Sequence, residues 1–282
     1  TDDFRGISIS SIVSKVFEHC LLDRYGSFFI TDDRQFGFKK QLSCSHAIYT
    51  LRCTVNHYVQ HGSTVNLGAL HLKKAFDKMN IHGLFLKLMD RGLPLQLLTV
   101  LEKWFMSCVT RVKWNSISSS FFKLEAGIRQ GGVLSPYLFA VYANDIIASV
   151  KKLPFGCQYK HFSVSILMYA DDIILIAPSV VSLQMLVSAC EHELASLDMA
   201  INAKKSVCMR IGPRFNFPCS AISTVDGYDL PWVDRLRYLG VCIVCARNFR
   251  CCVSDAKKVF IGPLMRSSVK LAEWHLKKLL LN

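Results

Sequence analysis

The chain has 282 residues, 51% of them hydrophobic, enough to bury a substantial core as one large domain or two closely packed lobes. A formal net charge of +13, from 34 Lys+Arg against 21 Asp+Glu, points to a polyanionic partner, nucleic acid before membrane. No apolar run reaches membrane-spanning length and no signal-peptide pattern opens the chain, so the expected location is intracellular, in nucleus or cytoplasm, without a membrane partner.

The twelve cysteines are irregularly spaced and read as reduced thiols, mostly in the core. Cys242-x-x-Cys245 with Cys251 and Cys252 is the one metal-like spacing, but it lacks a nearby histidine and a second knuckle, so zinc is not expected.

Ile7 to Tyr25 carries Ile12, Val13, Val16, Phe17, Cys20 and Leu21 at helical spacing and predicts an amphipathic helix. Gln35-Phe36-Gly37-Phe38-Lys39-Lys40 follows as an aromatic, glycine and basic turn suited to meeting a phosphate or stacking a base. A second helix is predicted from Ser43 to Gln60, then a strand from Val65 to Leu72. Asn80 opens a helix through Asp90, and Gly92 to Pro94 punctuate before another that ends near Ser107. Arg111 to Trp114 and Ser120 to Leu124 read as a pair of strands.

Gly127-Ile128-Arg129-Gln130-Gly131-Gly132-Val133-Leu134-Ser135-Pro136 is a glycine-rich turn feeding a helix from Tyr137 to about Ser149. Glycines allow close approach of a ligand, and a helix N-terminus is a natural neighbour for phosphate. Ser182 to Met199 reads as helix, Ile201 to Met209 as a turn into a strand, and Leu236 to Val241 as a strand with a glycine bend. No internal repeat or low-complexity linker marks a domain boundary.

Between these lies Ser163 to Ala177, two apolar runs broken by Asp171 and Asp172, which predicts a hairpin with the carboxylates at its bend. Two like charges against an apolar sheet cost free energy unless a cation sits beside them. Neighbouring strand residues face opposite ways, so the two carboxylates take different roles. A solvated acidic turn is the bland alternative. The Tyr169-Ala170 lead-in and the flanking strands favour a divalent-metal site.

Phe36 to Lys39, Lys73-Lys74-Ala75-Phe76-Asp77, Arg129-Gln130-Gly131 to Pro136, Tyr169-Ala170-Asp171-Asp172, Asn202 to Ser206 and Tyr238-Leu239-Gly240 occur in the order found in reverse transcriptases. Over roughly Phe4 to Val259 the chain resembles those of non-LTR, LINE-type retrotransposons of the jockey and CR1 kind. The resemblance implies an α+β right-hand polymerase fold, with fingers, an antiparallel palm sheet flanked by helices, and a partial thumb. It implies a reverse transcriptase domain at 1–259 and a divergent tail at 260–282. It also implies RNA-directed DNA synthesis on an RNA template and DNA primer from deoxynucleoside triphosphates, with two Mg2+ ions. No protein partner is named by it.

Carried over by position, Asp171 and Asp172 would be metal-binding and catalytic, and Lys205 would assist the leaving pyrophosphate. Phe76 would reject a 2′-hydroxyl, Gln130 and Gly131 would position nucleotide and template, and Lys39 and Arg5 would touch triphosphate or template. Tyr238, Leu239 and Gly240 would support the primer. One departure stands out: His71 occupies the position of the family's first metal-binding aspartate. A neutral imidazole brings no negative charge and cannot bridge two magnesium ions. Gln41 and Leu42 also depart, where relatives carry Gly and Arg. The expectation is a preserved fold with impaired activity. The alternatives are a catalytically dead nucleic-acid-binding remnant and a polymerase of another branch, such as an intron maturase.

Overall fold

Val65 to Leu70 is buried without a break because the strand is covered on both faces; its one polar side chain, Asn66, accepts from Arg210 Nε at 3.0 Å. The structure, a computed structural model, describes residues 7–124, 126–160 and 162–252. Arg5, the domain's expected end at 259 and the expected tail at 260–282 lie outside the described residues.

In chain order, α1 (Ile12–Tyr25) begins at Ser11, whose hydroxyl accepts from Ser14 N at 3.2 Å, and not at Ile7 as the spacing predicts. Helix α2 (Cys44–Gln60) is boxed at its start by Ser43 and His46, and strand β1 (Val65–His71) follows. Asn80 caps α3 (Ile81–Asp90) by accepting from Gly83 N at 3.1 Å, and Pro94 opens α4 (Leu95–Met106). Then come the short strands β2 (Val109–Thr110), β3 (Lys113–Trp114), β4 (Ile117–Ser118) and β5 (Phe122–Lys123). The two strands predicted at 111–114 and 120–124 contain β3 and β5, but they do not pair with each other: β3 turns back onto β4, and β5 pairs with β2.

The expected helix at 137–149 is two helices, α5 (Ser135–Tyr142) and α6 (Asn144–Lys152), broken at Ala143. Asn144 Oδ1 accepts from Asp32 N at 2.8 Å, a tertiary bond that no helical period reveals. Strands β6 (Gln158–Tyr159) and β7 (Phe162–Ser163) lead to β8 (Ile166–Tyr169) and β9 (Asp172–Ala177), and then to α7 (Val180–Ser196) and β10 (Val207–Ile211). Strands β11 (Ile222–Ser223), β12 (Asp229–Leu230), β13 (Arg235–Tyr238), β14 (Val241–Val244) and β15 (Arg250–Cys252) complete the described chain. The predicted bent strand at 236–241 is a reversal. Leu239 and Gly240, at φ 48° and 82°, turn β13 back onto β14.

The chain forms two compact units. One comprises 1–32, 73–145 and 194–199. Within it α3 packs on α5, with Leu84, Leu88, Leu138 and Phe139 fully buried, and the Tyr142 hydroxyl donates to Leu197 O at 2.8 Å. Its helix α1 buries Glu18 and Leu21 and stacks Phe17 on Trp104, but leaves Ile12, Val13 and Val16 exposed, so only part of the predicted apolar face packs.

The other unit comprises 33–72, 146–193 and 200–282, and is built on an antiparallel sheet in the order β10-β1-β9-β8. One face, with Val65, Leu67, Ala69, Ile174, Ile176, Met209 and Ile211, joins Ala47, Leu51 and Val55 of α2 and Leu236 and Ile243 of the β13–β14 hairpin in one apolar cluster. On the other, α7 lies so close that a side chain on Gly68 would meet Leu183 Cδ1 at 3.2 Å. Each such buried aliphatic side chain contributes about 1.5–3 kcal/mol. Among the described residues no helix is long and apolar enough to cross a membrane.

Candidate functional site

The register of the sheet brings the acidic pair and position 71 together. Tyr169 pairs with Asp172 across the hairpin, and Asp172 pairs with His71 across the next ladder. Ala170 and Asp171 form the turn, with Ala170 in the left-handed region at φ 57°. Opposed residues share a face, so the His71 and Asp172 side chains meet. Their Nδ1 and Oδ1 atoms lie 2.8 Å apart.

The end of β1 is hooked by the Asn202–Ser206 turn. His71 N donates to Ser206 Oγ at 3.1 Å, Asn202 N donates to His71 O at 2.7 Å, and Ser206 Oγ donates to Asn202 O at 2.9 Å. That hook brings Lys205 within electrostatic reach of the imidazole. The Asp172 hydrogen bond raises the His71 pKa above the ordinary value, with help from the Asp172 and Asp171 charges; burial and Lys205 oppose it.

This donor set does not fit a pair of magnesium ions. Asp172 is engaged by His71, and a protonated imidazole nitrogen has no lone pair to offer a metal. Among the described residues no three His, Cys, Asp or Glu side chains converge on a point where a metal could bind. That holds for Cys242, Cys245, Cys251 and Cys252 as well.

Tyr238 is buried beside Asp172, Tyr169 and Cys44, and burial carries its phenol well above the usual range. Its ring belongs to the core, and Leu239 packs partly against the same cluster. The Tyr238 ring is buried, whereas Leu239 is half-buried and Gly240 exposed. Lys39 Nζ lies 3.9 Å from Asp33 Oδ1. Of the two aromatic rings in the predicted Gln35–Lys40 turn, Phe36 is 6% exposed and belongs to the core, whereas Phe38 is half-buried. Gly37 is needed for a close approach, because a Cβ there would sit 2.7 Å from Ala170 N.

The remaining expected residues belong to the other unit. Phe76 is half-buried and stacks on Phe139, with centroids 4.6 Å apart and planes at 22°. Ile128 N donates to Phe76 O at 2.9 Å, and Gln130 Nε2 donates to Asp77 Oδ1 at 3.1 Å. These bonds bring the glycine-rich turn and the Phe76–Asp77 segment together. Gly131 has φ 111°, and a side chain on it would strike Ser8 O at 2.5 Å, while Ser8 N donates to Gln130 O at 2.7 Å.

The expected phosphate position at the start of α5 is taken by the protein itself. Glu18, 3% exposed, accepts from Val133 N at 2.5 Å and Leu134 N at 2.9 Å, and Arg129 lies 3.4 Å from its other oxygen. A buried carboxylate here satisfies the free N–H groups and the positive end of the helix. Sequence reasoning missed Glu18; its one signal is its place a turn before Leu21 on α1.

Against known proteins, residues 1–243 match the family model described as reverse transcriptase (RNA-dependent DNA polymerase). A Pol polyprotein of a type-2 retrotransposable element of Drosophila melanogaster is 23% identical over 275 residues, 95% of this chain and 26% of that protein. The RNA-directed DNA polymerase of the mobile element jockey, from the same organism, is 24% identical over 284 residues, 96% of this chain and 30% of its own length. The chain thus spans between a quarter and a third of these relatives.

Among solved structures, apo telomerase from Candida tropicalis superposes with a TM-score of 0.57 at 13% identity, covering 90% of this chain and 41% of the telomerase. Telomerase from Candida albicans gives 0.54 at 12% identity, covering 85% and 37%. The fold is therefore an α+β polymerase fold. With its family model matched over 243 residues and its relatives drawn from non-LTR retrotransposons, the chain belongs to the reverse transcriptase family.

Proposed function

We propose that this chain is the polymerase domain of a retrotransposon enzyme that holds an RNA template and DNA primer, with nucleotidyl transfer impaired in this copy. The observation that carries the reading is the 2.8 Å pairing of His71 with Asp172, at the place where the family pattern has a second carboxylate. Reverse transcriptases use divalent metal ions, which supply charge stabilisation at the transferred phosphorus. The residues as they stand do not complete such a site.

In this reading Asp171 and Asp172 are what remains of the catalytic centre and Lys205 faces the leaving pyrophosphate. Phe76 limits space at the sugar 2′-position, Gln130 and Gly131 shape the nucleotide side, and Lys39 offers a cation to template or triphosphate. The Leu239–Gly240 turn supports the primer. Net charge of +13 supplies the general attraction to nucleic acid. Relatives bearing the names of RNA-directed DNA polymerases, and a Candida albicans telomerase whose structure includes a fragment of telomeric RNA, support RNA as template.

Two measurements test it. Affinity for a primer–template should fall steeply as salt rises, because counterions are released on binding; a flat dependence removes the nucleic-acid reading. Primer extension by the chain and by His71→Asp then separates an impaired polymerase, rescued by the carboxylate, from a remnant that only binds.

A further inference from the structure

Arg34 to Gly37 runs alongside β8 as an added edge. Met168 N donates to Arg34 O and Phe36 N donates to Met168 O, both at 2.8 Å, in a parallel bridge centred on Gln35. Gln35 is 1% exposed, and its Oε1 accepts from Gly37 N at 3.1 Å and Ala170 N at 3.2 Å. Two backbone donors on one oxygen fix which end of the amide is which.

Ala170 is the residue in the left-handed region, a conformation that costs a residue with a Cβ about 1–2 kcal/mol. Gly37 backs directly onto the same amide, leaving no room for a side chain. Gln35 Nε2 is buried with no hydrogen-bond partner, at a cost of about 1–3 kcal/mol. The amide is placed for its oxygen, and its oxygen holds the turn.

We infer that Gln35 and Gly37 form a bracket that sets the Ala170–Asp171 turn and thereby aims Asp171, which makes Gln35 a positioning residue. The inference rests on Asp171 belonging to the catalytic centre. The bracket approaches the turn through the backbone of position 170, so it acts on Asp171 without touching its carboxylate.

The test uses Gln35→Met, which keeps the length and removes the acceptor, and Gly37→Ala, which keeps the acceptor and adds the clash. Leu51→Ala, on the buried face of α2, is the control that lowers stability without removing the acceptor. Residue-resolved hydrogen exchange at the Ala170 amide, in the otherwise unaltered chain, is the first readout. It should speed up about tenfold or more in Gln35→Met relative to Leu51→Ala, compared at matched global stability.

The second readout is primer extension in a His71→Asp background. Gln35→Met should lower kcat about tenfold or more while nucleotide KM and primer–template affinity stay within about twofold. If the Ala170 amide exchanges alike in Gln35→Met, Gly37→Ala and Leu51→Ala, the bracket is overturned whether or not any variant extends a primer. If His71→Asp extends and Gln35→Met matches its kcat, the positioning role falls and the catalytic reading of Asp171 stands. If His71→Asp is itself inert, the catalytic reading fails and the exchange rates alone decide the bracket.

Discussion

Removing Glu18 should unfasten the glycine-rich turn from α1. Three donors converge on this nearly inaccessible carboxylate: the Val133 and Leu134 amides at the start of α5, and Arg129 at 3.4 Å. In Glu18→Ala the two amides lose a charged acceptor, each such bond being worth about 1.5–3 kcal/mol. Arg129 recovers part of its loss, because its guanidinium also lies over the Trp104 ring, 5.8 Å from the centroid. The expected total is about 3–5 kcal/mol, the range for breaking a buried ion pair on one side.

Glu18→Gln keeps one oxygen for the amides but turns a donor toward Arg129, and should lose about half as much. Urea unfolding followed by circular dichroism measures both, provided the slope with denaturant stays unchanged. A Glu18→Ala chain within about 1 kcal/mol of the parent would refute the assignment of Glu18 as the internal anion of this turn.

Further outcomes follow from the same geometry. The His71–Asp172 pair raises the imidazole pKa, so its contribution is fully present below the unfolded value of 6.5 and lost as pH rises through the higher native value. The stability advantage over His71→Gln should therefore shrink from pH 6 toward pH 9 and stay below about 1 kcal/mol, since the pair is partly solvated; an advantage that grows with pH would contradict the pairing. Phe76→Ala in a His71→Asp background should raise ribonucleotide incorporation, and unchanged sugar discrimination would remove Phe76 from the nucleotide side. The same substitution should lower stability by about 1–3 kcal/mol through the lost stacking on Phe139, read in urea.

Local signals were legible where one residue carries a local physical cause. Asn80 announces α3 by its capping side chain, and the branched runs around Asp171 and Asp172 announce their hairpin. Tyr238-Leu239-Gly240 was read as one bent strand, because a glycine bend and a two-residue reversal look alike until the partner strand is known. Helix α1 was legible, but only the Phe17 and Leu21 part of its packing face was. Its exposed Ile12, Val13 and Val16 outweigh Leu21 in any periodic pattern, and the residue that matters there is an acid. In sequence, Gln35 opens a turn suited to a ligand, whereas the pairing with β8 turns that segment toward the acidic hairpin. Position 71 was legible only through family resemblance. Its consequence, an imidazole holding Asp172, needed the register of β1 against β9.

We propose that one side chain, His71, separates this copy from a working centre. The measurement is magnesium-dependent extension of a DNA primer on an RNA template by the chain, by His71→Asp, and by His71→Asp with Asp171→Ala, each shown to fold and to bind primer–template. A gain of at least about a hundredfold is expected in the second, from restored charge stabilisation worth several kcal/mol, and its loss in the third. Extension by the unaltered chain equal to that of His71→Asp, or a His71→Asp chain that binds and stays inert, would contradict it.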